Sequence, residues 1–119
     1  MEKFIKSFGY ALKGLVYAFK TQTNFKVHCF ATIFAVLLGL FVKLSISEWL
    51  WIALAIAMVL ILELVNTAIE VLVDFVSPEQ HPKAGAIKDL SAGAVLIAAL
   101  LALIIGSFIF LPKLLVYVA

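Results

Sequence analysis

Three acidic side chains and one amide interrupt a long apolar run in the middle of the chain. They are Glu63, Asn66, Glu70 and Asp74, within the segment ELVNTAIEVLVD. On an α-helix, residues at these spacings lie within roughly 80° of one another and share one face. Carboxylate and amide oxygens are ligands for a hard cation such as Mg²⁺, and a carboxylate held away from water can act as a general base. The spacing therefore predicts one polar helix face, formed by these four residues and called the polar face below.

The composition around the polar face is that of a membrane protein. Of the 119 residues, 66% are hydrophobic and 13% are charged, against about a half and about a quarter in soluble domains. A domain of this size cannot bury so much apolar surface from water. A net charge of +2 with no basic run among aromatics does not predict a nucleic-acid partner. We expect one membrane domain covering residues 1–119.

Three apolar stretches can position the polar face within a bilayer. Residues 27–44, 49–76 and 90–111 are each long enough, as helices, to cross about 30 Å of hydrocarbon. Before them, residues 1–24 carry aromatic and leucine side chains at intervals of three and four, with lysines on another side. That pattern predicts an amphipathic helix in the membrane interface. The predicted fold is an all-α membrane protein with one interfacial helix and three transmembrane helices.

The lysines predict the orientation of these helices. Five precede the first span and two lie between the second and third spans, whereas Lys43 and Lys113 fall on the opposite side. The positive-inside rule places the N-terminus and the Asp74 end of the polar face on the cytoplasmic side of the cell membrane. The connection expected at Ser77–Asp89 lies on that side, and its Pro78 and Pro82 favour a turn over continued helix.

Carboxylates inside a membrane helix need compensation, because each costs upwards of about 2.5 kcal/mol in hydrocarbon. One interpretation is that they form interhelical hydrogen bonds, which contribute only about 0.6 kcal/mol on average. The other is a functional site that binds a cation and a phosphate. Lys88 and Asp89 begin the third span on the same side as Asp74 and supply charge for the second interpretation.

A small proton- or cation-coupled transporter is the alternative function, because transporters also carry intramembrane acids. That function accounts for Glu63 but not for the gathering of Glu70, Asp74 and Lys88 toward one end. A proton relay would continue to the other side, where residues 49–62 are uninterruptedly apolar. The residue pattern favours phosphoryl transfer, which requires positioning, charge neutralisation and a base for the attacking hydroxyl.

The sequence resembles the prokaryotic diacylglycerol kinase and undecaprenol kinase family of small membrane lipid kinases. The resemblance covers nearly the whole chain and is carried by ELVNTAIEVLVDFV at 63–76, AIKDLSAGAVLIAA at 86–99, GYALKGL at 9–15 and NFKVH at 24–28. It implies ATP-dependent phosphorylation of a lipid alcohol, with Mg²⁺ as cofactor, by a homotrimer with active sites shared between subunits. The segment NFKVH is more typical of the undecaprenol kinase branch, but the residues leave both undecaprenol and diacylglycerol open as the substrate.

The resemblance also implies residue roles. Glu63 would be the general base, with Asn66 positioning it or the γ-phosphate, and Asp74 in support. The implied nucleotide contacts are Lys3, Tyr10, Gln22, Glu70, Glu79, Gln80, His81, Lys88 and Asp89. The implied metal ligands are Glu70 and Gln22, and the implied lipid contacts are Phe8, Lys13, Phe25 and His28.

Two positions depart from the family pattern. Gln22 stands where a second metal-binding glutamate is usual, and an amide keeps an oxygen ligand but removes a negative charge, so metal binding should weaken. Lys3 stands where an arginine is common in the diacylglycerol branch, so a bidentate phosphate contact is lost.

Overall fold

Helices cover nearly all of the computed structural model, which describes residues 1–118. They are α1 (Glu2–Thr21), α2 (Thr23–Val42), α3 (Ile46–Val76) and α4 (Pro82–Val118). Helices α2, α3 and α4 are each long and apolar enough to cross a membrane. The predicted all-α membrane class with three membrane-spanning helices is confirmed.

The turn between α2 and α3 is defined by caps at both helix ends. Lys43 adopts a left-handed conformation (φ 56°), and its N–H donates to the carbonyl of Gly39. At the start of α3, the Ser45 hydroxyl accepts from the Glu48 N–H, and the Glu48 carboxylate accepts from the Ser45 N–H. This reciprocal capping box satisfies two N–H groups that a helix N-terminus otherwise leaves free. The caps explain why two antiparallel helices can be joined by so few residues.

Gly39 is required where α2 meets this turn. A Cβ atom added there would lie 2.5 Å from the Trp49 ring and 2.9 Å from Leu44. Both neighbours belong to the packed end of the molecule, where Val42, Leu44 and Ile52 form a buried cluster.

We expect Gly39→Ala to destabilise the protein by about 1–3 kcal/mol, the usual cost of forcing extra atoms into a packed core. Thermal unfolding in detergent, followed by circular dichroism, measures the effect. Gly106→Ala is the matched control, since nothing lies within 4 Å of a Cβ atom at that position. Equal unfolding temperatures for Gly39→Ala and the unmodified protein would contradict the prediction.

The connection between α3 and α4 is shorter than the Ser77–Asp89 loop expected from the sequence. Only residues 77–81 lie between the two helices, and α4 begins at Pro82. Proline is favoured in the first turn of a helix, because its fixed φ suits the helix and its missing N–H would have no intrahelical acceptor there. At the other end, α4 continues past the predicted boundary at 111, with Pro112 inside the helix. The end of the molecule that carries residues 77–81 is called the loop end below.

Packing of α3 against α4 forms the main body. At the end opposite the loop, the Lys113 ammonium lies 3.1 Å from the Glu48 carboxylate, and the Phe41 and Tyr117 rings are 5.4 Å apart. Helix α1 contacts α2 and α3; it buries Ala18 while its other side chains are exposed. The Phe4 and Phe8 rings on α1 pack edge to face at 5.2 Å, consistent with an apolar helix face available to a membrane interface.

Candidate active site

The four residues of the polar face differ in burial along α3. Glu63 is 3% exposed and Asn66 is 9% exposed, Glu70 is half-buried, and the Asp74 side chain is 65% exposed. Because burial decreases toward the loop end, the face changes from a desolvated carboxylate to a solvated one over three helical turns. The same face therefore offers a sheltered carboxylate at one end and exposed charge at the other.

Glu63 meets a histidine from another helix. Nε2 of His28, on α2, lies 3.4 Å from Oε1 of Glu63. The Thr67 hydroxyl, buried one turn further along α3, donates to the Glu63 carbonyl at 2.9 Å and leaves the carboxylate untouched. His28 is thus the side chain beside the deepest acid, where it can donate a hydrogen bond or share a proton.

A chain of hydrogen bonds connects α4 to the middle of the polar face. The Ser91 hydroxyl donates to Oδ1 of Asn66 at 2.6 Å, and Nδ2 of Asn66 donates to Oε1 of Glu70 at 3.2 Å. One of the two interpretations of the polar face was that its residues form interhelical hydrogen bonds. The structure shows such a bond at Asn66. Glu70 retains its second oxygen and remains half-buried.

The loop end contains a polar pocket of about 600 Å³. Lys88 pairs with Asp74 at its edge, which joins the start of α4 to the end of α3. Its lining includes three predicted nucleotide contacts from the loop, Glu79, Gln80 and His81. The structure therefore brings Asp74, Lys88 and these loop residues together around a space open to solutes.

Other predicted nucleotide contacts lie apart from this pocket. Asp89 is exposed and lines a separate depression on α4 with Gly93, because consecutive helix residues point about 100° apart. Lys3 and Tyr10 are exposed on α1, and neither lines the loop-end pocket. Within residues 1–118 the single chain thus assembles only part of the predicted nucleotide site.

The predicted lipid contacts also differ in their exposure. Phe8 and Lys13 are exposed on α1, and His28 is half-buried on α2. Phe25 is 4% exposed, so its ring packs inside the chain and supports α2 instead of lying open to lipid.

An apolar groove between α2, α3 and α4 was not anticipated from the sequence. It encloses about 540 Å³, has small side chains such as Ala31, Ala35, Ala55 and Ala102 in its walls, and reaches His28 at the end nearest the loop. The sequence feature that could have predicted this groove is the spacing of Ala31 and Ala35 on α2. Residues four apart share one helix face, and small side chains there leave room for a groove. The groove leads to the histidine that contacts Glu63.

Sequence reasoning also missed Ser91. The available signal was a hydroxyl inside an apolar span, since such groups commonly hydrogen-bond across membrane helices.

The donor set suits a hard cation that arrives with phosphate. Among residues 1–118, no group of three or more His, Cys, Asp and Glu side chains is placed to hold a metal alone. Mg²⁺ is usually bound through one or two carboxylates together with substrate phosphates and water, and Glu70 offers one such carboxylate. The Gln22 amide, between α1 and α2, donates to the Thr21 hydroxyl at 3.4 Å.

Comparison with known proteins gives concordant matches. The family model described as prokaryotic diacylglycerol kinase matches residues 9–110. Undecaprenol kinase of Bacillus subtilis is 45% identical over 114 residues, covering 96% of this chain and 93% of the relative. Diacylglycerol kinase of Synechocystis is 43% identical over 110 residues (92% and 63%), and diacylglycerol kinase of Escherichia coli K12 is 32% identical over 102 residues (86% and 84%).

Proposed function

The chain belongs to the prokaryotic diacylglycerol kinase family of membrane lipid kinases, and we propose that it transfers the γ-phosphoryl group of ATP to the hydroxyl of undecaprenol. The observation that carries the proposal is the contact between buried Glu63 and half-buried His28, placed between an apolar groove and the more exposed part of the polar face. A hydrocarbon chain and a nucleotide could approach this contact from opposite directions. The transporter alternative has no support among the relatives.

Undecaprenol is preferred to diacylglycerol for two reasons. The relative named undecaprenol kinase is 45% identical and matches nearly end to end. The groove that reaches His28 is lined mainly by alanines and branched apolar residues, which suits the apolar body of a long isoprenoid chain.

Glu63 is the proposed general base. Its burial keeps it apart from competing water. The lipid hydroxyl would give up its proton to the carboxylate as its oxygen attacks the γ-phosphorus, while the bond from that phosphorus to the bridging oxygen breaks and ADP leaves. His28 holds one carboxylate oxygen, so the other remains directed at the substrate. Asn66, fixed from both sides, would position the transferred phosphoryl group.

Glu70 and Lys88 are the proposed binding groups for the nucleotide phosphates. Magnesium, when bound with ATP, supplies positive charge that neutralises the phosphoryl oxygens. Glu70 would hold that cation, with Gln22 as a second, uncharged oxygen ligand. Lys88 would exchange Asp74 for a phosphate oxygen, a change within reach because both side chains are partly exposed. Glu79, Gln80 and His81 would contact the nucleotide in the loop-end pocket.

The residues that lie apart from the pocket support a proposed assembly of more than one copy, and the family resemblance implies three copies. Lys3, Tyr10 and Asp89 would then contact nucleotide bound mainly by a neighbouring subunit, as the family resemblance implies. Phe8 and Lys13 on α1 would contact lipid at the interface. The lysine distribution supports an N-terminus and loop end that face the cytoplasm at the cell membrane.

A lipid phosphorylation assay tests this function. Purified full-length protein in mixed micelles receives γ-labelled ATP and either undecaprenol or diacylglycerol at equal mole fraction. We expect label on undecaprenol at a rate at least about tenfold above that on diacylglycerol. Label on diacylglycerol alone would overturn the substrate assignment, and label on neither lipid would count against the proposed reaction.

Replacing Gln22 with Glu is expected to lower the Mg²⁺ concentration for half-maximal activity by about tenfold, because the change restores a charged oxygen ligand. Magnesium titrations of both forms at fixed ATP measure the effect. Thr23→Glu adds the same charge at the neighbouring exposed position and controls for a general electrostatic effect. Superimposable titrations for Gln22→Glu and the unmodified protein would remove position 22 from the metal site.

A further inference from the structure

Ser91 is the point where α4 makes a hydrogen bond to the polar face. Its hydroxyl lies 2.6 Å from Oδ1 of Asn66, and both residues are 9% exposed. The two positions are 25 residues apart in the chain, so this contact depends on the packing of α3 against α4. A buried amide held from another helix loses most of its freedom to rotate.

The chemistry of the next group determines which way the Asn66 amide points. Ionised Glu70 can only accept hydrogen bonds, so the NH₂ group of Asn66 must face it. The carbonyl oxygen of the amide then faces α4, where it needs a donor. The Ser91 hydroxyl supplies that donor, and a residue without a donor would leave Oδ1 buried and unsatisfied. The order of donation is therefore Ser91 to Asn66 to Glu70.

We propose that Ser91 is a positioning residue, which holds the Asn66 amide with its NH₂ group toward Glu70 and thereby fixes the Glu70 carboxylate for the nucleotide. The inference rests on the proposed role of Glu70 in binding the nucleotide–metal complex. Ser91 itself touches neither the nucleotide nor the lipid. Its influence passes through Oε1 of Glu70, and the second oxygen of that carboxylate stays available.

Without the Ser91 hydroxyl, both orientations of the Asn66 amide are unfavourable. It can keep its orientation with an unsatisfied buried oxygen, or it can flip and place that oxygen against the Glu70 carboxylate, which is electrostatically unfavourable. The flip removes the hydrogen bond to Glu70, and the unsatisfied Oδ1 destabilises the unflipped orientation that makes it, so Glu70 is held for less of the time. The site that binds nucleotide is then less organised, while the Glu63–His28 contact on the groove side is left intact.

The kinetic test compares Ser91→Ala with Ser91→Thr, which keeps the hydroxyl. Because a net hydrogen bond is worth about one factor of ten, Ser91→Ala is expected to raise KM for MgATP about tenfold, with KM for the lipid changed less than about twofold. Ser91→Thr should restore KM for MgATP to within about threefold. Thr67→Val removes a hydroxyl that is also buried but bonds only the Glu63 carbonyl, and it should leave both KM values unchanged.

A second measurement does not depend on activity or on metal. In side-chain ¹⁵N–¹H spectra of the full chain in detergent, the Asn66 NH₂ group should give two well-separated, exchange-protected signals. We expect these signals in the unmodified protein, Ser91→Thr and Thr67→Val, and their loss or averaging in Ser91→Ala. This readout reports the amide orientation even if Ser91→Ala has low activity.

The role of Ser91 and the role of Glu70 are tested by different variants. Unmodified Asn66 signals and an unchanged KM for MgATP in Ser91→Ala would overturn the positioning role. An equal rise of both KM values in Ser91→Ala would also overturn it, because that result indicates general structural damage. The proposed site is judged by Glu70→Gln: wild-type kinetics in that variant would refute the role of Glu70, whatever Ser91→Ala does.

Discussion

Replacing Glu63 with Gln is expected to reduce lipid phosphorylation by about 10³-fold, within the range usually lost with a general base. Glutamine has nearly the same shape and can still hydrogen-bond His28, but it cannot take up the proton of the lipid hydroxyl. Since Glu63 is almost completely buried, no nearby water readily replaces it. Turnover in mixed micelles with saturating ATP and lipid measures the loss.

Glu48→Gln is the matched control for this substitution. It makes the same chemical change on the same helix, at the end opposite the loop, where Glu48 contacts Lys113 and the Ser45 cap. We expect it to lower the unfolding temperature slightly and to leave turnover unchanged. The Glu63→Gln protein should keep its circular dichroism spectrum and oligomeric mass. Full turnover by a folded Glu63→Gln protein would exclude Glu63 as the base.

Replacing Glu70 with Gln is expected to lower kcat/KM for MgATP by about 10²-fold, comparable to removing one preorganised charge-stabilising group. The amide can still accept the hydrogen bond from Asn66 through its oxygen, so the local geometry is retained. What is lost is the negative charge that attracts the cation. The Mg²⁺ concentration for half-maximal activity should therefore rise, while KM for the lipid stays near its original value.

Magnesium titration distinguishes this role from a structural one. If Glu70 served only to anchor Asn66, Glu70→Gln would preserve the hydrogen bond and leave the titration unchanged, which would refute the assignment. The Glu48→Gln protein again provides the comparison. The Gln22→Glu and Glu70→Gln substitutions change charge in opposite directions, so their half-saturation shifts should be opposite in sign.

In the proposed function, the gradient of burial along α3 lets one helix face serve two substrates. Glu63 lies where an apolar chain in the groove would end, and Asp74 lies where water and soluble anions reach the molecule. Asn66 and Glu70 occupy the boundary between them. In the proposed reaction, the phosphoryl group passes from the nucleotide to the lipid hydroxyl at that boundary.

Local patterns were sufficient for the helices and for the shared face of Glu63, Asn66, Glu70 and Asp74. The period of 3.6 residues and the length of the apolar runs are properties of the chain itself. The loop end was less predictable: Pro82 was assigned to a turn, yet it occupies the first turn of α4. Proline is compatible with both positions, and only the packing of α4 against α3 decided between them.

The composition and periodicity of this chain determined that it is a membrane protein, that it is all-α, and which helix face carries the acids. These properties follow from hydrophobicity and from backbone geometry over short distances. Tertiary structure decided which groups those acids meet: His28 beside Glu63, Ser91 beside Asn66, and Lys88 beside Asp74. Such contacts join residues far apart in the chain, and their geometry depends on the rotation and register of packed helices, which neighbouring residues alone do not specify.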